Sequence, residues 1–179
     1  MTPLADLTNS FRGWAEIIAG KPTALDNFRI SSSGFAVAAA TLAIAILLSV
    51  AMQSAAAGLP SASQLIFGLL AQAITVALLG LAMRQMLRFL QIKIDLNALL
   101  IPTLYALAYV FVLAIPLTLI GPNAALIAML GLGVLIYRLV RVAAAMKPGL
   151  SVAFATVCVI VLVVVPYALY MLLLLLPSA

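Results

Sequence analysis

The sequence predicts an all-α, polytopic integral membrane protein. Of its 179 residues, 67% are hydrophobic and 7% are charged, whereas about 25% of residues are charged in an ordinary soluble domain. A soluble domain needs more polar residues than this to cover its surface. The apolar stretches are long and continuous, which is typical of spanning helices and not of the alternating strands of a β-barrel. Composition therefore excludes a soluble enzyme, a disulfide scaffold and a coiled coil.

The first element is a cytoplasmic N-terminal segment, residues 1–33, which is too polar to span. Apolar side chains recur in it every three or four residues and predict one face of an amphipathic helix. They are Leu4, Leu7, Phe11, Trp14 and Ile18. Pro3 indicates the start of this helix, Gly20 its end, and Pro22 the start of a second short helix through Asn27. Two placements remain open: the helix lies in the headgroup region with Trp14 as its anchor, or it packs on the cytoplasmic end of the bundle.

Five apolar stretches then form a transmembrane domain, residues 34–179. A spanning helix needs about 20 mostly apolar residues. The predicted spans lie near residues 34–52, 64–83, 97–119, 123–140 and 152–176. Asp95 suits the N-cap of the third span. Gly121, Pro122 and Asn123 predict a tight turn, which makes the third and fourth spans antiparallel neighbours.

The charges fix the orientation of these spans. With five crossings, the N-terminal segment, the second connection and the fourth connection share one side of the membrane. All nine basic and four acidic residues fall on that side, with Arg138 at the end of the fourth span that faces it, and residues 53–63, 120–122 and 177–179 on the other side carry no charge. The positive-inside rule then places the N-terminus in the cytoplasm and the C-terminus outside.

The inventory of reactive side chains is short. The chain has no histidine and a single cysteine, Cys158. A zinc site, a Ser-His-Asp triad and a Cys-His pair are therefore excluded for this chain alone. We expect no catalytic, cofactor-binding or metal-binding residues. The net charge of +5 indicates contact with anionic lipid headgroups, not with nucleic acid.

The candidate functional residues fall into two groups. The first consists of polar side chains inside the predicted spans, for which we expect hydrogen bonds between helices; a ligand pocket is the alternative. They are Gln72, Thr75, Tyr105 and Tyr109. The second group consists of basic residues from two cytoplasmic connections, which either contact anionic lipid or a protein partner or serve only to set the orientation. They are Arg84, Arg88, Lys93, Arg138, Arg141 and Lys147.

Small residues also recur four apart within two predicted spans. Ala39 and Ala43 lie on the first, and Ala73 and Ala77 on the second. Ridges of this kind let helix backbones approach closely. Because alanine is common in this chain, the spacing is a weak signal.

Two segments resemble the Yip1-domain family. Residues 92–108, IKIDLNALLIPTLYALA, look like that family's polar loop leading into a third helix with an early proline. Residues 133–164, GVLIYRLVRVAAAMKPGLSVAFATVCVIVLVV, look like its fourth helix, basic junction and fifth helix. The resemblance implies a cytoplasmic N-terminus, five closely spaced helices and a non-enzymatic role as a membrane organiser. The DLYGP-type signature of eukaryotic members is absent, so their Rab GTPase partnership does not carry over.

These observations predict a non-catalytic protein, namely a scaffold, adaptor or accessory subunit that packs against lipid and other membrane proteins. The alternative is a permease subunit or a small carrier for an apolar or lipid-like solute. No predicted span carries a charge except for Arg138 near the cytoplasmic end of the fourth, which argues against a pump or a cation channel. A cavity shared by Gln72, Thr75, Tyr105 and Tyr109 would favour the carrier.

Overall fold

The computed structural model describes residues 3–57, 61–118 and 124–175. Their regular structure is entirely helical, with no strand in these three ranges. The elements are helix α1 (Pro3–Ile18), a 3-10 helix (Pro22–Asn27), α2 (Ser32–Ala57), α3 (Ala62–Phe89), α4 (Asn97–Thr118), α5 (Ala124–Ala143) and α6 (Pro148–Leu175). Each predicted span coincides with one of the helices α2 to α6. The predicted turn at residues 121–123 lies outside the described residues.

Local sequence signals account for several helix ends. Gly20 follows α1 with φ of 76°, a left-handed conformation that glycine adopts without steric cost. The Asp95 carboxylate accepts a hydrogen bond of 3.0 Å from the backbone N–H of Asn97, the first residue of α4. The Arg141 guanidinium donates to the carbonyl oxygen of Met146 at 2.9 Å and so bridges the turn between α5 and α6.

Helix α4 is the centre of the bundle. Every residue from Ala98 to Ala108 is buried, and a helix that is apolar and buried on all sides lies in a core. Extensive packing runs from α2 to α4, from α4 to α5, from α5 to α6 and from α6 to α3. Helices α2 and α3 are thus the first and the last helix in this series of contacts.

The outer faces of the bundle are apolar. Large hydrophobic side chains are exposed along α2, α3 and α6, for example Ile44 at 65%, Ile66 at 67% and Val164 at 53%. Within the described ranges, α2, α3 and α6 are long and apolar enough to cross a membrane, and residues 97–113 of α4 form a shorter apolar helix. Apolar surface of this extent needs lipid or a protein partner to cover it, which indicates a membrane location.

Candidate functional site

Helix α1 packs into the bundle alongside α4. The indole N–H of Trp14 donates to the carbonyl oxygen of Pro102 at 3.1 Å, and the hydroxyl groups of Ser10 and Tyr109 are hydrogen-bonded. Pro102 and Tyr109 lie in the second and fourth turns of α4. Helix α1 therefore lies beside the body of α4 and does not merely cap its end.

Trp14, the predicted contact to the membrane interface, lies in the packing between α1 and the bundle. Its side chain is only 5% exposed, because the ring packs against Phe28 with a centroid distance of 6.4 Å and bonds to α4. The apolar residues Phe11 and Ile18 on the same helix are 62% and 54% exposed. The helix thus packs on the bundle through Trp14 and presents a separate apolar face outward.

A carboxylate is buried where α1 meets the bundle. Asp6 is 7% exposed, and its Oδ2 atom lies 3.9 Å from an Nη atom of Arg29. No hydrogen-bond partner of Oδ2 is found among the described residues. Burying a charge is costly unless an opposite charge or hydrogen bonds compensate it, so Arg29 is the group that allows Asp6 to stay at this position.

Sequence reasoning missed the buried polar face of α1. Asp6, Ser10 and Ile17 lie on the buried side together with Gly13 and Trp14, whereas the apolar repeat predicted a face that includes Phe11 and Ile18. The only signal for the buried face was the spacing of small and polar residues three and four apart. That signal is weak, because such residues are also common on solvent-facing helix surfaces.

The four predicted interhelical polar residues do not share one cavity. The Tyr109 hydroxyl is hydrogen-bonded to Ser10 of α1. The Thr75 hydroxyl donates to the carbonyl oxygen of Ala71 in its own helix at 2.8 Å. Tyr105 is buried beside Phe28, with ring centroids 6.3 Å apart. Gln72 is half-buried in a separate groove.

That groove lies between α2 and α3, with α4 as its floor, and we call it the α2–α3 groove. It has a volume of about 580 Å³. Alanines from both helices line its walls, and leucines of α4 line its floor. They include Ala39, Ala43, Ala73, Ala77, Leu100 and Leu104. The small-residue ridges seen in the sequence therefore line a gap between helices and do not bring α2 and α3 into close contact.

The predicted basic residues divide into two groups. Arg84, Arg88 and Lys93 line one pocket where α3 ends and α4 begins, together with Asp95 and Leu96; we call it the basic pocket. The remaining three, at the α5–α6 turn, are not part of it. Arg138 and Lys147 are exposed there, and Arg141 is used to bridge the turn.

Comparison of the chain with family models, with curated proteins and with solved structures gives no match. The resemblance to the Yip1-domain family thus stays a prediction.

Proposed function

We propose that this chain is a five-helix protein of the bacterial cytoplasmic membrane, with its N-terminus in the cytoplasm and its C-terminus outside. Helices α2, α3 and α6 are long and apolar enough to span. Helices α4 and α5 have 22 and 20 residues, close to the about 20 that a span requires. Because α4 and α5 pack between α2 and α6, a membrane that holds those helices also surrounds this pair.

We further propose a non-catalytic role as a scaffold, adaptor or accessory subunit of a membrane assembly. The observation that carries this proposal is the dispersal of the polar side chains within the bundle. Tyr109 holds α1, Thr75 bonds to its own helix, and Gln72 lies in a groove at the side of the bundle. A pathway for a polar solute needs such groups along one passage. Their dispersal favours a packed body that meets partners through its outer faces.

The surfaces open to a partner are of two kinds. The lipid-facing sides of α2, α3 and α6 expose large apolar side chains, on which a membrane helix of another protein can pack. The cytoplasmic ends expose basic residues, among them Arg138 and Lys147, which attract acidic protein segments or anionic headgroups. The resemblance to the Yip1-domain family also favours an organising role.

A small carrier for a lipid-like solute is the second candidate. The α2–α3 groove favours it, because its lining is almost entirely apolar and reaches exposed residues such as Leu81, which is 51% exposed. A carrier of this kind releases solute at both membrane surfaces. An accessory subunit has no need to do so.

Extraction from the native membrane in a mild detergent tests the two candidates. We expect the protein to elute with a second membrane protein at a fixed ratio, measured by quantitative mass spectrometry of the affinity-purified complex. Reconstituted vesicles that contain only this chain should not speed the exchange of a fluorescent lipid between leaflets. Elution without a partner, combined with faster exchange, would overturn the accessory role in favour of the carrier.

A further inference from the structure

The α2–α3 groove has the length of a lipid acyl chain. Along α3 its lining extends from Leu69 to Arg84. These residues are fifteen positions apart, or about 22 Å at about 1.5 Å per residue. One leaflet of hydrocarbon is about 15 Å thick, half of the about 30 Å of the whole core. An extended chain that enters beside Arg84 therefore has apolar wall along its full depth in that leaflet.

The charged end of the groove continues into the basic pocket. Arg84 and Leu96 line both cavities, so the apolar lining passes directly into a cluster of cations. Arg88 and Lys93 complete this cluster. Among the described residues none of the three cations forms an ion pair, and the one carboxylate present, Asp95, accepts a hydrogen bond from the start of α4. The pocket thus has three positive charges against one negative charge.

We propose that the α2–α3 groove and the basic pocket together bind one anionic phospholipid of the cytoplasmic leaflet. An acyl chain occupies the groove, and the phosphate lies among Arg84, Arg88 and Lys93. The charges complement such a headgroup, and each basic residue near an anionic lipid surface contributes measurable attraction. This inference rests on the proposed membrane insertion and orientation, and it is independent of the accessory role.

The size of the groove distinguishes a lipid chain from a helix of a protein partner. A helix with a diameter of about 10 Å displaces about 1,700 Å³ over a length of about 22 Å. The groove holds about 580 Å³, roughly a third of that volume. The groove therefore does not enclose a helix, whereas the small side chains of Ala73 and Ala77 on one wall leave room for a hydrocarbon chain.

The test uses the full chain in nanodiscs of phosphatidylcholine that contain one fifth phosphatidylglycerol. After transfer to detergent, native mass spectrometry counts the lipids that remain on the protein. We expect one phosphatidylglycerol to be retained in preference to phosphatidylcholine. If the two lipids are retained in proportion to their abundance, the proposed headgroup site is wrong. If the chain fails to insert at all, the membrane assignment itself is wrong.

Two pairs of variants locate the site, one pair in the groove and one pair among the basic residues. Ala43→Phe fills the groove, and its matched control Ala40→Phe adds the same ring at the neighbouring exposed position of α2, which does not line the groove. We expect Ala43→Phe to abolish retention of phosphatidylglycerol and Ala40→Phe to leave it unchanged. Ala77→Phe fills the groove from its α3 wall and should abolish retention in the same way. It replaces Ala43→Phe in the test if that variant does not fold.

Arg84→Gln removes the charge that joins the two cavities, and Arg138→Gln removes a charge at the α5–α6 end. We expect Arg84→Gln to lower the preference for phosphatidylglycerol about fivefold, the ratio that corresponds to one basic residue at a lipid surface, and Arg138→Gln to leave the preference unchanged. Equal retention by both phenylalanine variants of the groove and by wild type would overturn the proposal. So would a protein found cross-linked in the groove in place of lipid.

Discussion

At the scale of single residues, α1 is held by contacts that need particular atoms. The indole N–H of Trp14 reaches a carbonyl of α4, the Ser10 hydroxyl meets that of Tyr109, and the Asp6 carboxylate faces Arg29. Each hydrogen bond between helices contributes about 0.6 kcal/mol in a membrane. These polar contacts therefore stabilise α1 less than the apolar packing around them does. Their main effect is to fix the rotation of α1 about its own axis.

The close approach of Gly13 to Phe28 gives a prediction at this scale. A Cβ atom at Gly13 would lie 2.7 Å from Cζ of the Phe28 ring, and that ring is already held between Trp14 and Tyr105. Overpacking of this kind costs about 1–3 kcal/mol, of which the better helix propensity of alanine offsets at most about 1 kcal/mol. We expect Gly13→Ala to lower the thermal unfolding temperature, measured in detergent.

The matched control for this substitution is Gly68→Ala in α3. Nothing lies within 4 Å of a Cβ atom at that position, so the substitution changes only helix propensity. We expect the unfolding temperature of Gly68→Ala to stay the same or rise. Equal unfolding temperatures for the two variants would show that Phe28 does not occupy the space beside Gly13.

At the scale of helices, local sequence signals predict some of the helix ends. Pro22 and Asn27 bound the 3-10 helix as predicted, and α4 begins at Asn97 beside its capping carboxylate. These signals are local, because proline, glycine and a capping side chain act on the backbone within a few residues. A single sequence therefore predicts a helix end well where such a signal is present, and less well elsewhere.

The rotation of α1 was not predictable in the same way. Apolar periodicity reports how one helix distributes its hydrophobic side chains, but the partner of Trp14 is the carbonyl of Pro102, 88 positions away. The α2–α3 groove was not predictable from the sequence either. Ala39, Ala43, Ala73 and Ala77 are visible in the sequence as ridges, but the same spacing occurs in closely packed helices. Only the packing order, with α2 and α3 at its two ends, makes these residues line a gap.

The placement of α1 leads to a spectroscopic prediction, because Trp14 is the only tryptophan in the chain. In vesicles that contain brominated phospholipid, we expect weak quenching of its fluorescence, since the indole is 5% exposed and packs on Phe28 and α4. A control variant carries Trp14→Phe and Phe11→Trp, which moves the indole to a position that is 62% exposed. We expect strong quenching there. Strong quenching of wild-type Trp14 would mean that α1 lies in the headgroup region.

At the scale of the whole molecule, the proposals depend on one asymmetry, namely the collection of charged side chains at one membrane surface. Charged side chains avoid hydrocarbon, and all six basic residues outside the N-terminal segment lie in the C-terminal parts of α3 and α5 or in the connections that follow these helices. Both connections are short, residues 90–96 and 144–147, so the helix ends they join lie at the same membrane surface. In the proposed orientation, the basic pocket and α1 belong to the cytoplasmic half of the protein. A lipid in the α2–α3 groove would come from that leaflet.

This orientation predicts opposite labelling of two introduced cysteines in intact cells. The native Cys158 is fully buried, so a membrane-impermeant maleimide has little access to it. Lys93 and Ser61 are both exposed and lie at opposite ends of α3. We expect Ser61→Cys to be labelled in intact cells and Lys93→Cys to be labelled only after the membrane is permeabilised. Wild type is the control for reaction at Cys158.

The reverse labelling pattern would invert the topology and move the basic pocket to the outer surface. The proposed lipid would then have to come from the other leaflet. Labelling of both cysteines from outside would mean that α3 does not cross the membrane. In that case α2 and α3 could not form two walls of a groove within one leaflet, and the phospholipid site would fail together with the five-span arrangement. Labelling of Ser61→Cys alone leaves the cytoplasmic leaflet as the source of the lipid, because the charged mouth of the groove at Arg84 then faces the cytoplasm.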